Sequence, residues 1–263
     1  MTDWAAFAGV ATVATLLLLG LARATSVGAT FPTRTEMEWL DGLPDDADHL
    51  AASGASPPGG DPEPLSAELL FVNVLVTHGL FLVLLVAAAL YTRVPASAFG
   101  LSVSVSELAL GVGFGVVLSL FNTGAGALAE SFGYAPSEEL RGLLAPDSPS
   151  GWALLLFGTL PLVALFEEAL FRATLVGAFA VGFAVSPWAL AVVSSVAFAL
   201  AHETQGAAGV VVTGVLGFVL AAGYVITGSF LVVVVAHYLV NAVELVVYEG
   251  LGVQRLGANR GPA

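Results

Sequence analysis

The sequence predicts an all-α polytopic membrane protein, a bundle of about seven transmembrane helices. Three observations predict it. Charged residues make up 10% of the 263-residue chain and hydrophobic residues 57%. Mean hydropathy is +0.93. The charges fall in blocks, leaving apolar runs of spanning length between them. A soluble domain carries about 25% charged residues, so cytosolic enzymes and disordered scaffolds are disfavoured. A formal net charge of −13 removes the electrostatic basis for holding a phosphate backbone, and no nucleic-acid partner is expected. The absence of cysteine excludes disulfides, thiolate ligands and cysteine nucleophiles. All seven cations are arginine, and an acid excess without lysine matches a salt-adapted composition.

About 20 apolar residues cross a hydrocarbon core of roughly 30 Å as a helix. Residues 1–31 contain the first such run, 4–22. It starts Met-Thr-Asp, without the basic start of a signal peptide, and reads as an uncleaved helix. Residues 32–68 hold nine acids, one arginine and the run Pro-Pro-Gly-Gly-Asp-Pro-Glu-Pro, too polar and proline-rich to bury a core. They read as a solvated loop; Asp45, Asp46 and Asp48 lack the calcium-loop pattern. Residues 69–151 supply two more helices, 69–91 and 107–128, with their connections. Residues 152–250 form a bundle with apolar runs at 152–171, 188–201, 207–227 and 230–247, and 251–263 is a polar tail. Asp147-Ser148-Pro149-Ser150 is a helix entry, and Pro161 is expected to kink the fourth helix. The stretch 173–186 is either an eighth, short span or a continuation of helix four into a turn at Ser186-Pro187. The β-branched run at 232–235 would suggest a strand in water, but a lone strand in lipid leaves its backbone unsatisfied. With seven spans, five arginines share one side against Arg93, which puts the C-terminus inside.

Residues 152–248 carry five charges: Glu167, Glu168, Arg172, Glu203 and Glu244. A charge deep in a bilayer costs several kcal/mol, so those present are functional candidates. Glu168 and Arg172 stand four apart and can pair on one helix face. Glu167 points about 100° away, an unpaired carboxylate placed to act as a general base. Phe198-x-x-x-His202 and His237-x-x-x-Asn241 each put two residues on one face of a later helix. His49 reads as loop, and His78 as a polar spot near the middle of the second helix with no assigned role. Glutamate, two histidines and asparagine can hydrolyse an amide without a covalent intermediate: carboxylate and imidazole take a proton from water, while imidazole and carboxamide donate to the oxyanion. The same Glu167, His202 and His237 could instead ligate zinc, although His202-Glu203-Thr-Gln-Gly is not H-E-x-x-H. Ser194 and Ser195 lie two turns from His202 without a G-x-S-x-G, so serine catalysis is disfavoured.

Together, Glu167-Glu168-x-x-x-Arg172, Phe198-x-x-x-His202 and His237-x-x-x-Asn241 resemble the CAAX protease and bacteriocin-processing family, also called the CPBP or Abi family of intramembrane proteases. The resemblance covers about residues 150–250. It implies a multi-pass protein of the cell membrane that cleaves a membrane-associated peptide or protein. By it, Glu167 would activate water with His202, Glu168 and Arg172 would brace the site beside Phe198, and His237 and Asn241 would form the oxyanion hole. No cofactor is favoured, with zinc the alternative; a transporter or immunity-type binding protein is the non-enzymatic reading.

One geometric difficulty follows. On seven straight spans Glu167 lies late in helix four and His202 late in helix five, which runs the other way. They would stand roughly a third of the bilayer apart. Either helix four continues past Arg172 or helix five extends beyond His202.

Overall fold

The computed structural model describes residues 1–28, 67–131, 142 and 144–253. The acidic loop, apart from its last two residues, lies outside them, as do His49, Arg34, Arg141, Arg255 and Arg260. The described residues are helical, with no strand among them. The helices are α1 (Trp4–Gly28), α2 (Ala67–Tyr91), α3 (Val105–Ser131), α4 (Pro149–Phe183), α5 (Pro187–Leu200), α6 (Gly206–Thr227) and α7 (Phe230–Gly250). Six are long and apolar enough to cross a membrane, and α5 is shorter at 14 residues. This is a multi-pass membrane protein. Its outer faces carry Val76, Leu80, Val83, Val116, Leu120 and Val193, all exposed, as a lipid-facing surface requires.

The helix α4 is central. It packs against α1, α2, α5, α6 and α7, and half of its most apolar window is buried, against 11% in α2. Its entry follows the predicted cap: the Ser148 hydroxyl accepts from the Gly151 amide at 3.0 Å, with Pro149 in the first turn. Two π-helical segments interrupt it, Leu155–Thr159 and Ala169–Ala178. The first ends two residues before Pro161, whose missing N–H and bulky ring disturb the preceding turn.

The stretch 173–186 is thereby resolved as a continuation of α4. The helix runs 35 residues to Phe183. Ala184 closes it in a left-handed conformation (φ 54°), and Pro187 opens α5. This removes the depth difficulty. Sixteen residues lead from Glu167 up to Phe183, and fifteen lead from Pro187 back to His202. The two lengths nearly match, so the chain returns His202 to the level of Glu167, within reach of it.

Small residues set the remaining distances. A Cβ on Gly111 would lie 2.9 Å from the Val235 Cβ, and one on Gly115 would lie 3.0 Å from the Ala236 Cα. This Gly-x-x-x-Gly edge of α3 lets α7 approach closely and fixes the helix that carries His237 and Asn241. One end of the bundle gathers the Asp3–Thr92 and Gly100–Phe230 backbone bonds and the packing of Trp4 on Gly182.

Candidate active site

The polar side chains of α2, α4 and α7, with His202 just past α5, meet between three apolar clusters. Glu168 and Arg172 are fully buried. Arg172 Nη1 donates to Glu168 Oε1 at 2.8 Å, and Nη2 donates to the Gly217 carbonyl at 2.9 Å. Its guanidinium lies 4.5 Å from the Phe198 ring centre, a cation–π contact in a dry site. Phe198 in turn lies against His202, the ring centroids 4.6 Å apart and the planes tilted by 46°. The predicted pairing of Glu168 with Arg172 and the bracing place of Phe198 are thus one connected unit.

Glu167 points the other way, as its 100° offset requires. His237 Nε2 stands 3.5 Å from its Oε2 and His202 Nε2 stands 3.9 Å from its Oε1. His78 Nε2, from α2, stands 4.0 Å from the same Oε1. The His202 and His78 distances are beyond a direct hydrogen bond and can be spanned through one water, while His237 stands at the outer edge of direct contact.

The other nitrogen of each ring is occupied, which settles the tautomers. His202 Nδ1 donates to the Phe198 carbonyl at 2.8 Å, and His78 Nδ1 donates to the Val74 carbonyl at 3.1 Å. A carbonyl only accepts, so both Nδ1 atoms carry the proton. His237 Nδ1 donates to Glu168 Oε1 at 2.6 Å, an oxygen already bonded by Arg172. All three rings therefore present Nε2 to Glu167. Nε2 atoms oriented in this way are also those through which histidines ligate metals. Among the described residues, however, no group of three or more His, Cys, Asp or Glu has the arrangement of a metal site.

A cavity of about 370 Å³ opens beside Glu167. His202, His237 and Asn241 line it, its walls are mainly apolar, with Leu155, Leu160 and Leu216 among them, and Asn122 and Glu244 stand at its rim, joined at 2.7 Å. The Asn241 carboxamide is half-buried and has no hydrogen-bond partner among the described residues. The serines do not compete. Ser194 donates to the Phe171 carbonyl at 2.5 Å and Ser195 to the Ala191 carbonyl at 2.6 Å.

Glu167, Glu168, Arg172, Phe198, His202, His237 and Asn241 come together here, whereas Glu203 pairs with Arg23 at 2.8 Å. Two were missed. His78 was noted without a partner; its signal was an ionisable group in the middle of an apolar span. Gly217 carried no signal, because its contribution is the absence of a side chain: a Cβ there would lie 2.9 Å from Phe198 Cδ1 and 3.3 Å from Arg172 Nη2.

Residues 149–243 match the family model described as type II CAAX prenyl endopeptidase Rce1-like. No curated protein and no solved structure matches the chain. The matched segment begins at the first turn of α4 and closes just past Asn241. It contains all three motifs, and the match agrees with their resemblance to the CAAX protease and bacteriocin-processing family.

Proposed function

We propose that the chain is an intramembrane endopeptidase that hydrolyses a peptide bond of a membrane-associated protein or peptide. The observation that carries this reading is the Glu167 carboxylate, faced by the Nε2 atoms of His202 and His237 at the wall of a cavity that also holds Asn241.

Water bridges Glu167 Oε1 and His202 Nε2, whose 3.9 Å separation leaves each within reach of one oxygen. The pair takes a proton from that water as its oxygen attacks the scissile carbonyl. His202 is suited to this because Nδ1 keeps its proton on Phe198, which leaves Nε2 as the acceptor. Asn241 Nδ2 donates to the resulting oxyanion. For His237 to donate as well it must be doubly protonated, since Nδ1 keeps its own proton on Glu168. When the tetrahedral species collapses, the C–N bond breaks and the captured proton passes to the leaving amine. Glu168 and Arg172 hold His237 and Phe198 in place. The mechanism calls for no cofactor.

The test is cleavage of a membrane-tethered peptide by the full chain reconstituted in lipid. Glu167→Ala and Glu167→Gln are expected to abolish turnover, by about 10²-fold or more, without loss of fold, because Glu167 makes no direct hydrogen bond. Unchanged cleavage in either variant rejects Glu167 as the base. Proton-coupled flux lost in Glu167→Gln, with no peptidase activity in the wild type, would favour a transporter.

A further inference from the structure

His78 lies on α2, outside residues 149–243 and outside every motif above. Its α2 has a mean hydropathy of 2.5, so an imidazole in the middle of it needs partners. The bond from Nδ1 to Val74 uses one nitrogen. The ring also stands edge-on to Phe166, with centroids 5.0 Å apart at 87°, and Phe166 is the buried neighbour of Glu167 in α4. These two contacts fix the plane of the ring and direct Nε2 to Glu167 Oε1 at 4.0 Å. A histidine serving only to fill the core would be satisfied at Nδ1. It would have no reason to aim its second nitrogen at the Glu167 carboxylate.

His78 does not line the cavity, whereas Glu167, His202 and His237 do. It therefore reaches Glu167 from outside that lining. It shares Oε1 with His202, while His237 faces Oε2. A carboxylate with nothing behind it can rotate about its last bond, and Oε1 would then leave the water it shares with His202.

We propose that His78 is a positioning residue for the hydrolysis: its Nε2, through one water, holds Glu167 Oε1 in the orientation that His202 needs. The inference rests on the endopeptidase reading above. It adds to the site a helix that lies outside the matched segment.

The experiment measures kcat and KM on the membrane-tethered peptide for His78→Phe, His78→Gln and His78→Asn, with thermal melting of each reconstituted protein. His78→Phe keeps the ring on Phe166 and loses Nε2; kcat should fall about 10- to 100-fold with KM within about twofold. His78→Gln, whose amide nitrogen reaches the Nε2 position, should recover most of that loss. His78→Asn keeps a donor for Val74 but has nothing at the Nε2 position, so it should resemble His78→Phe. Wild-type kcat in His78→Phe or His78→Asn overturns the proposal. So does a loss that tracks a lowered folded fraction, or one that His78→Gln does not relieve. Should His78→Phe fail to fold, His78→Asn against His78→Gln decides alone. Glu167→Gln and the wild type are run alongside: if Glu167→Gln is inactive while His78→Phe is fully active, only the role of His78 falls; if Glu167→Gln cleaves normally, Glu167 is not the base and the role of His78 falls with it; and if the wild type does not cleave, the endopeptidase reading falls.

Discussion

Removing the charge of Glu168 tests whether the buried network is built for stability or for alignment. Glu168 Oε1 receives charge-assisted bonds from Arg172 at 2.8 Å and His237 at 2.6 Å in a fully buried position. Glu168→Gln leaves the Arg172 guanidinium buried without a counter-charge, its partners reduced to a neutral amide oxygen, the Gly217 carbonyl and the Phe198 ring. Breaking a buried pair from one side costs about 3–5 kcal/mol, and Arg172→Met should cost a similar amount by isolating the carboxylate. The combination is different. Glu168 Oε2 and Arg172 Nε have no partner even in the intact pair, so the pair is incompletely satisfied and its net contribution is small. The double variant should therefore be less destabilised than either single variant, by about 1 kcal/mol or more. The measurement is unfolding in mixed detergent micelles followed by tryptophan fluorescence. Losses that add in the double variant would refute the reasoning. Cleavage should stay low in all three variants, since His237 loses either its anchor or the group that aligns that anchor.

Two further outcomes follow from the geometry. Gly217→Ala puts a Cβ 2.9 Å from Phe198 and 3.3 Å from Arg172; overpacking of this kind costs about 1–3 kcal/mol. Because Phe198 carries His202, turnover should fall with stability, whereas Gly113→Ala, where a Cβ meets nothing within 4 Å, should leave both intact. If no metal takes part, cleavage should survive exhaustive chelation, with elemental analysis showing less than one metal per chain. Activity lost on chelation and restored by zinc would instead make the three Nε2 atoms metal ligands.

The sequence exposed the site because lipid-facing helices have so few charges. Glu167, Glu168 and Arg172 stood out for that reason, and the i,i+4 rule paired the last two correctly. Depth was not legible. A straight-span reading ends helix four near Phe171, but the chain continues as helix through the π segment Ala169–Ala178 to Phe183. A run of hydrophobic residues does not encode where a helix exceeds the bilayer, and 173–186 looked equally suited to a separate span. Gly217, Gly111 and Gly115 were illegible for another reason. Their role is to let neighbours approach, and that exists only once α3, α5, α6 and α7 are packed. His78 was visible as an ionisable group, but its partner lies in a different helix 89 residues further along the chain.

On the proposed reading, the surroundings of the two motif histidines are what separate their roles. The buried cluster holds two carboxylates, Glu167 and Glu168, and one guanidinium, Arg172, so with neutral imidazoles it carries a formal charge of −1. Of the three rings only His237 lies between both carboxylates, 2.6 Å from Glu168 and 3.5 Å from Glu167. His202 and His78 each face a backbone carbonyl on one side and Glu167 alone on the other. His237 is therefore held by a carboxylate at each nitrogen, whereas His202 is held by a backbone carbonyl and meets one carboxylate only. On the proposed endopeptidase reading, the different parts given to two chemically identical side chains rest on where each sits relative to Glu168.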